Sequence, residues 1–362
     1  MDENVARIGR GALEDFCASV FCRMGLAEAD ARIAAEVLVA ADAAGIPSHG
    51  LARLGRYVEG LSNGLILPRA VPKTVTESAT SLVIDSGGAM GAPASKRAME
   101  AVIAKARASG AAFACVRDSN HFGIAGYYAR MALPESMLGI AMTNTAALGV
   151  PTFGSAVMFG TNPIAFAAPA GREKAFVLDM STTVVSRGKI EVRAREGKAI
   201  PAGWAVGREG RDTGEPSPLL DDMQERAGGG LLPLGGRGKE FGGHKGYGLA
   251  LMVDILCSVL CGAPFGAALR DTAGSSARVS HFFGAINIAT FRDPDDFRRD
   301  LDEMLRRLRE SPVAEGEERV LYAGLPESEF ELECARSGVP VIAGTLTAML
   351  RIGESLGVAA AW

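Results

Sequence analysis

The chain has 362 residues, enough to bury a large core and to build more than one folded unit. Lys and Arg number 38 against 42 Asp and Glu, so no basic surplus points to nucleic acid and no charge block points to an interaction tail. Glycine is high, 45 of 362 residues or about 12% against a usual ~7%, and falls in short clusters that suit functional loops better than disorder.

In chain order, residues 10–24 place Leu13, Phe16, Cys17, Val20, Phe21 and Met24 at helical spacing, and Gly25 stops the helix. An alanine-rich helix over 27–43 follows, with Ile33, Val37, Leu38 and Ala41 on one face. Gly45 closes it, and Ser48 is placed to cap a third helix carrying Leu51, Leu54, Val58 and Leu61. The first ~65 residues thus read as an all-helical unit. The texture then changes to β-branched alternation, with strands expected at 71–76, 81–85, 112–117, 138–144, 164–168, 175–180 and 282–291. Helices are expected at 93–109, 247–261, 295–310, 326–338 and 345–356, and a short strand at 320–322. The Gly/Pro-rich stretch 196–246 reads as loops over one face.

The six cysteines, Cys17, Cys22, Cys115, Cys257, Cys261 and Cys334, form no CxxC pair and lie in apolar runs, which reads as small hydrophobes in a reducing compartment. The N-terminus starts acidic and amphipathic, unlike a signal peptide, and the most apolar run, 248–265, carries Asp254. A cytoplasmic protein with no membrane span and no bound metal is expected. Strand, Gly87-Gly88-Ala89-Met90-Gly91, then helix has the outline of a Rossmann βαβ start. Its glycines do not fit G-x-G-x-x-G, however, and no acidic ribose ligand follows about 20 residues on.

The chemistry concentrates in Pro47-Ser48-His49-Gly50-Leu51-Ala52-Arg53. His49 and Arg53, four apart, are expected on one helix face, setting a proton donor/acceptor beside a planar cation that can take a carboxylate. A position at a helix N-terminus would keep the imidazole neutral. The other three histidines also sit in tight polar or glycine-bearing contexts: Asn120-His121-Phe122-Gly123, Gly243-His244-Lys245-Gly246 and Ser280-His281-Phe282. Gly160-Thr161-Asn162-Pro163, Asp179-Met180-Ser181-Thr182-Thr183 and Ser186-Arg187-Gly188-Lys189 add hydroxyls and cations, and the glycines after His121 and before His244 permit close backbone approach to a ligand. Five such loops in one chain suit a ligand of dinucleotide size.

The runs SHGLARLGRY, NGLILPRA, DSNHFGIAGYYA, MTNT, GTNPIAFAAP, LDMSTTVVSRGKI, PAGWA, LLPLGG, HKGYGLALMVDIL and HFFGAINI occur in the order and spacing of one family. Over about 10–350 the chain resembles the malate/L-lactate dehydrogenase-like oxidoreductases. This resemblance implies an α+β fold: a non-Rossmann NAD(P)-binding domain with a mixed, largely antiparallel sheet over 71–311, and an all-helical domain over 1–70 completed by about 312–362. It implies a homodimer that uses NAD or NADP to interconvert a 2-oxo acid and a 2-hydroxy acid. By the same resemblance His49 is the acid/base, Ser48 its partner and Arg53 the carboxylate clamp, with Thr161 and Asp179 near substrate. His121, Phe122, Gly123, Ile124 and Ala125, then Arg187, Gly188 and Lys189, then His244, Lys245 and Gly324, are implied to hold the cofactor.

Departures bear on the details. Pro47 replaces the acidic residue usual before Ser-His-Gly. Ala323-Gly324-Leu325-Pro326-Glu327 departs from the usual Pro-Gly-Glu. Lys189, counted by the resemblance as catalytic with His49 and Ser48, stands where imine-reducing members carry an acid that assists the serine, which weighs against the alternative of a cyclic imine-2-carboxylate reductase.

Overall fold

The structure is a computed structural model, and it describes residues 5–270 and 277–362. A short strand, β1 (Val5–Ile8), leads into α1 (Arg10–Arg23), α2 (Glu28–Ala43) and α3 (Leu54–Ser62). Leu13, Phe16, Val20 and Phe21 of α1 pack on Ala31, Ala34, Ala35 and Leu38 of α2, where the alanines let the larger side chains interdigitate.

The middle of the chain supplies β2 (Lys73–Glu77), β3 (Ser81–Asp85), α4 (Gly91–Ser109), β4 (Ala111–Ser119), α5 (Ala125–Arg130), β5 (Met137–Thr143), β6 (Ile164–Ala168) and β7 (Phe176–Met180). There follow α6 (Arg187–Arg195), β8 (Ala205–Val206), α7 (Pro216–Glu225), β9 (Gly230–Leu231), α8 (Gly243–Cys257) and β10 (Val279–Asn287). The chain closes with α9 (Pro294–Arg309), α10 (Leu325–Ser337), β11 (Val339–Ile342) and α11 (Ala343–Leu356).

Seven strands form one sheet in the order β2-β3-β4-β10-β5-β6-β7. Only β3 and β4 pair in parallel, joined through α4, so the segment with the Rossmann outline is a single βαβ unit in an otherwise antiparallel sheet. The central strand β10 is covered on both faces: Phe283 and Ala285 meet the side of α4 and α5, whereas Phe282 meets Val253 and Cys257 of α8. Helix α9 has a complete set of end signals. Asp293 accepts from the amides of Asp295 and Asp296, Pro294 opens the first turn, and Arg306, Arg307 and Arg309 lie in the last.

Four features differ from the expectations. Strands β1 and β11 pair antiparallel and draw the chain's two ends into one core with α1, α2 and α11; a pair four residues long has too little pattern to stand out in sequence. Residues 320–322 are not a strand. The stretch 196–246 holds α7 and the β8–β9 pair, and Leu219, Met223, Leu231 and Ile190 form a small core of its own. The glycines of this stretch serve backbone packing. A Cβ at Gly246 would overlap the backbone of Leu234, and one at Gly243 the carbonyl of Gly236, so the loop lies directly on the start of α8.

Residues Gly243–Cys261 are long and apolar enough to cross a membrane by length and composition. Their one acid, Asp254, is instead the anchor of α8: its two oxygens accept from Asn144 Nδ2 and Asn162 Nδ2, both at 3.1 Å. Asn162 also donates to Ala250 O at 2.9 Å, and Asn144 to Ser258 Oγ at 2.6 Å. Asp254→Ala leaves two buried amides short of an acceptor and should cost roughly 3 kcal/mol. A thermal melt should show a clear drop in midpoint, and an unchanged midpoint would remove Asp254 as the anchor.

Candidate active site

The Pro47 to Arg53 segment does not begin a regular helix. It forms two 3₁₀ turns, Pro47–His49 and Leu51–Arg53, hinged at Gly50 (φ −98°, ψ −141°). Pro47 opens the first turn, which places Ser48 inside it, and Ser48 makes no capping bond, contrary to the expected role. Its hydroxyl lies 3.0 Å from His49 Nδ1 instead. Arg53 is brought beside the pair by its own hydrogen bond, Nε donating to Ser48 O at 2.7 Å, rather than by helical spacing.

The opposite wall comes from the β4–α5 loop. His121 stacks on His49, with ring centroids 5.6 Å apart and planes at 22°. Gly123 N–H donates to His121 Nδ1 at 3.3 Å, which makes Nδ1 an acceptor and places the proton of the neutral ring on Nε2. The Tyr57 hydroxyl donates to the same nitrogen at 2.6 Å. Tyr57 of α3 is a site residue not singled out from the sequence, although its place four residues after Arg53 could have drawn attention to it.

Both imidazoles are held neutral. Burial, then the nearby Arg53 guanidinium, pushes His49 down to about 4. Burial also holds His121 well below the usual range, with His49, Arg56 and Arg53 adding to the effect. The helix-end argument for a neutral His49 is therefore replaced by burial and a cation. Arg53 feels Arg56 and Arg187 as repulsive neighbours and Glu191 as an attractive one, so the start of α6 faces this cluster.

His281 is a core residue. Thr143 Oγ1 donates to backbone carbonyls and so accepts from His281 Nδ1 at 2.8 Å, while Ser119 Oγ bonds Nε2 at 2.9 Å. Phe122 stacks flat on His281, 4.4 Å away, and is buried among aromatics. Gly123 approaches α2 rather than open space, for a Cβ there would lie 2.5 Å from Val37 Cγ1. Ile124 and Ala125 are buried where α5 begins. His244 and Lys245 are exposed at the start of α8, and Lys189 is exposed on α6 with no hydrogen bond to Ser48. Thr161 is fixed by its neighbours: its amide donates to Thr145 Oγ1 at 3.0 Å and its carbonyl accepts from Thr182 N at 2.9 Å.

Asp179, expected near substrate, makes its contacts at the end of β7. Its Oδ2 accepts from Gly126 N at 2.7 Å, and the charge that bears on it is that of Glu327 in α10. The protein packed around the carboxyl pushes it up to about 6 against the pull of the Gly126 amide, although one edge stays open to solvent. Glu327 Oε2 is buried and has no hydrogen-bond partner among the described residues. Gly324, left-handed at φ +92°, presses on β7, where a Cβ would lie 2.8 Å from Val177 N. Asp179 thus lies between the start of α5, at the residue next to Ala125, and the start of α10, near Gly324.

A sequence profile of the malate/L-lactate dehydrogenase family matches residues 8–350. Malate dehydrogenase of Pyrococcus horikoshii is 39% identical over 359 residues, 99% of this chain and 98% of that protein. Its solved structure superposes with a TM-score of 0.90 at 37% identity, covering 99% and 98% of the two chains. L-sulfolactate dehydrogenase of Methanocaldococcus jannaschii is 39% identical over 310 residues, 85% and 86% of the two chains. A pyrroline/piperideine-2-carboxylate reductase of Pseudomonas putida is 33% identical over 261 residues, 72% and 73%. With this extent of match and this fold, the chain belongs to the malate/L-lactate dehydrogenase family of NAD(P)-dependent hydroxy-acid oxidoreductases.

Proposed function

We propose that the chain interconverts a 2-oxo acid bearing a second anionic group and the corresponding 2-hydroxy acid, using NAD(H), with His49 exchanging the proton on the substrate oxygen. The observation that carries this reading is the neutral His49 ring held between the Ser48 hydroxyl and the His121 face, with Arg53 alongside. Arg53 offers a planar fork for the 1-carboxylate. Arg56 and Arg187 extend the positive field around it and favour a second carboxylate or a sulfonate, in keeping with the malate and sulfolactate relatives.

In the oxidative direction a neutral His49 is a competent base for the hydroxyl proton. If Ser48 accepts from Nδ1–H, Nε2 is the free base. If Ser48 donates to Nδ1, Nε2 carries the proton needed by the nascent alkoxide in reduction. A substrate carboxylate opposite Arg53 offsets the cation that depresses His49 and so raises its basicity when substrate is present. The nicotinamide, when bound, supplies or accepts the hydride.

The loop His121 to Ala125, the turn Arg187 to Lys189, His244-Lys245 and Gly324 would hold the cofactor. The Asp179–Glu327 pair beside Gly324 fits ribose hydroxyls as acceptors and repels a 2′-phosphate, which favours NAD over NADP. The imine-reductase alternative gains nothing from Lys189, a cation on the exposed face of α6.

We further propose that the working unit is a cytoplasmic homodimer joined through α8 and the 3₁₀ turn that follows it, where Leu251 and Ile255, then Val259 and Leu260, form an exposed apolar strip running from a helix start that bears His244 and Lys245.

Steady-state kinetics with NADH and NADPH over a panel of 2-oxo acids tests the reaction. Oxaloacetate or sulfopyruvate should exceed pyruvate by about tenfold or more in kcat/KM, roughly 1.4 kcal/mol. NADH should bind more tightly than NADPH. That preference should be largest above about pH 6, where Asp179 is ionised, should narrow as pH falls through that value, and should shrink in Asp179→Asn. No reduction of any oxo acid would refute the reading. For the dimer, sedimentation should give twice the chain mass for the native protein and a lighter species for Ile255→Glu; a native monomer would contradict it.

A further inference from the structure

The motif's glycine and a buried acid beneath it are fitted to each other. Asp42, near the end of α2, is 6% exposed, and its Oδ2 accepts from Leu51 N at 2.5 Å. That amide opens the second 3₁₀ turn and has no partner within it, so Asp42 supplies the acceptor. A Cβ at Gly50 would overlap the same carboxylate, with Asp42 Cγ only 2.5 Å away. The Ser-His-Gly glycine therefore makes room for Asp42. Its φ of −98° is not left-handed, but its ψ of −141° lies outside the regions that L side chains usually occupy, so the hinge conformation also favours glycine.

Among the described residues no cation bears on this acid. Burial raises its carboxyl to about 7, and the Leu51 amide is what opposes the rise. The titratable side chains that sense it are Cys17 of α1 and Cys334 of α10, both thiols held up by burial. A buried carboxyl without a counter-ion is costly, and the acceptor it offers the Leu51 amide is the contact that sets against that cost. Such a group directly beneath a reactive turn is a candidate for a functional role.

We propose that Asp42 is a positioning residue for the hydroxy-acid dehydrogenase reaction, its carboxylate seating the Gly50 hinge so that His49 and Arg53 are held in the frame that receives substrate. This rests on the reading that His49 and Arg53 meet the oxo acid. Asp42 touches neither substrate nor cofactor. It acts through the hinge, on whose two sides His49 and Arg53 stand.

The test is a double-mutant cycle between Asp42→Ala and Gly50→Ala, with Asp42→Asn as the conservative variant. Asp42→Ala should raise KM for the oxo acid about tenfold while the NADH dissociation constant, read by fluorescence, stays within about twofold. Gly50→Ala should act in the same direction. The two together should do much less than the product of their effects, because removing the carboxylate makes room for the new methyl. Asp42→Asn restores an acceptor for Leu51 N–H and should recover most of the loss.

Wild-type KM in Asp42→Ala, simple multiplication of the two effects, or equal damage in Asp42→Asn and Asp42→Ala would each overturn the proposal. The four histidines give four ¹³Cε1 resonances in a selectively labelled apo protein. Asp42→Ala should move the His49 signal and leave that of His281 in place, a readout that needs no turnover. If the wild type reduces no oxo acid and the His49 signal still moves, the reaction assignment fails and the hinge stands. If His49 does not move, the hinge fails whatever the activity.

Discussion

The hydrogen bond from Tyr57 to His121, 2.6 Å long, joins the N-terminal helices to the sheet, and the candidate site exists only where these two parts meet. Tyr57 and His49 come from the helical side, His121 from the loop after β4. Each part contributes one imidazole. Together they bury both and stack one on the other, and burial is the leading cause that lowers both rings.

Other contacts fix the same seam. Lys96 Nζ and the Tyr127 hydroxyl both bond Glu36 of α2, at 2.7 and 2.8 Å. Arg130 of α5 makes a two-pronged pair with Glu331 of α10. Gly123 admits Val37 against the loop itself. The interface is partly polar, and its buried bonds are directional, so it sets orientation as well as affinity. That suits a site whose two walls must be in register to within a fraction of an ångström.

Much of this was legible in the sequence because it rests on local rules. The amphipathic helices, the alternating strands and the loops that carry His49, Arg53 and His121 announce themselves by spacing, and the succession of motifs points to the family. The remainder depends on contacts distant in sequence. The β1–β11 pair links residues more than 300 positions apart and leaves no local pattern. Asp42 reads as one polar position in an alanine-rich helix, and only the fold shows it beneath Gly50. Asp179 lies at the end of β7, just before a run rich in hydroxyls and cations, and only the fold ties it to Gly126 and Glu327. His281 has the same kind of neighbours in sequence as His121, yet Thr143 and Ser119 enclose it completely. Histidine context alone cannot separate a core ring from a site ring, because both need polar partners.

The central claim is that His49 exchanges the proton while the cofactor is held by other residues. The direct measurement is turnover of His49→Ala with oxaloacetate in both directions, alongside NADH binding to the same protein by fluorescence. The account predicts a loss of roughly 10²–10⁴-fold in kcat, the usual worth of a positioned acid/base, with the NADH dissociation constant within about twofold of wild type. Turnover close to wild type in that variant would contradict it.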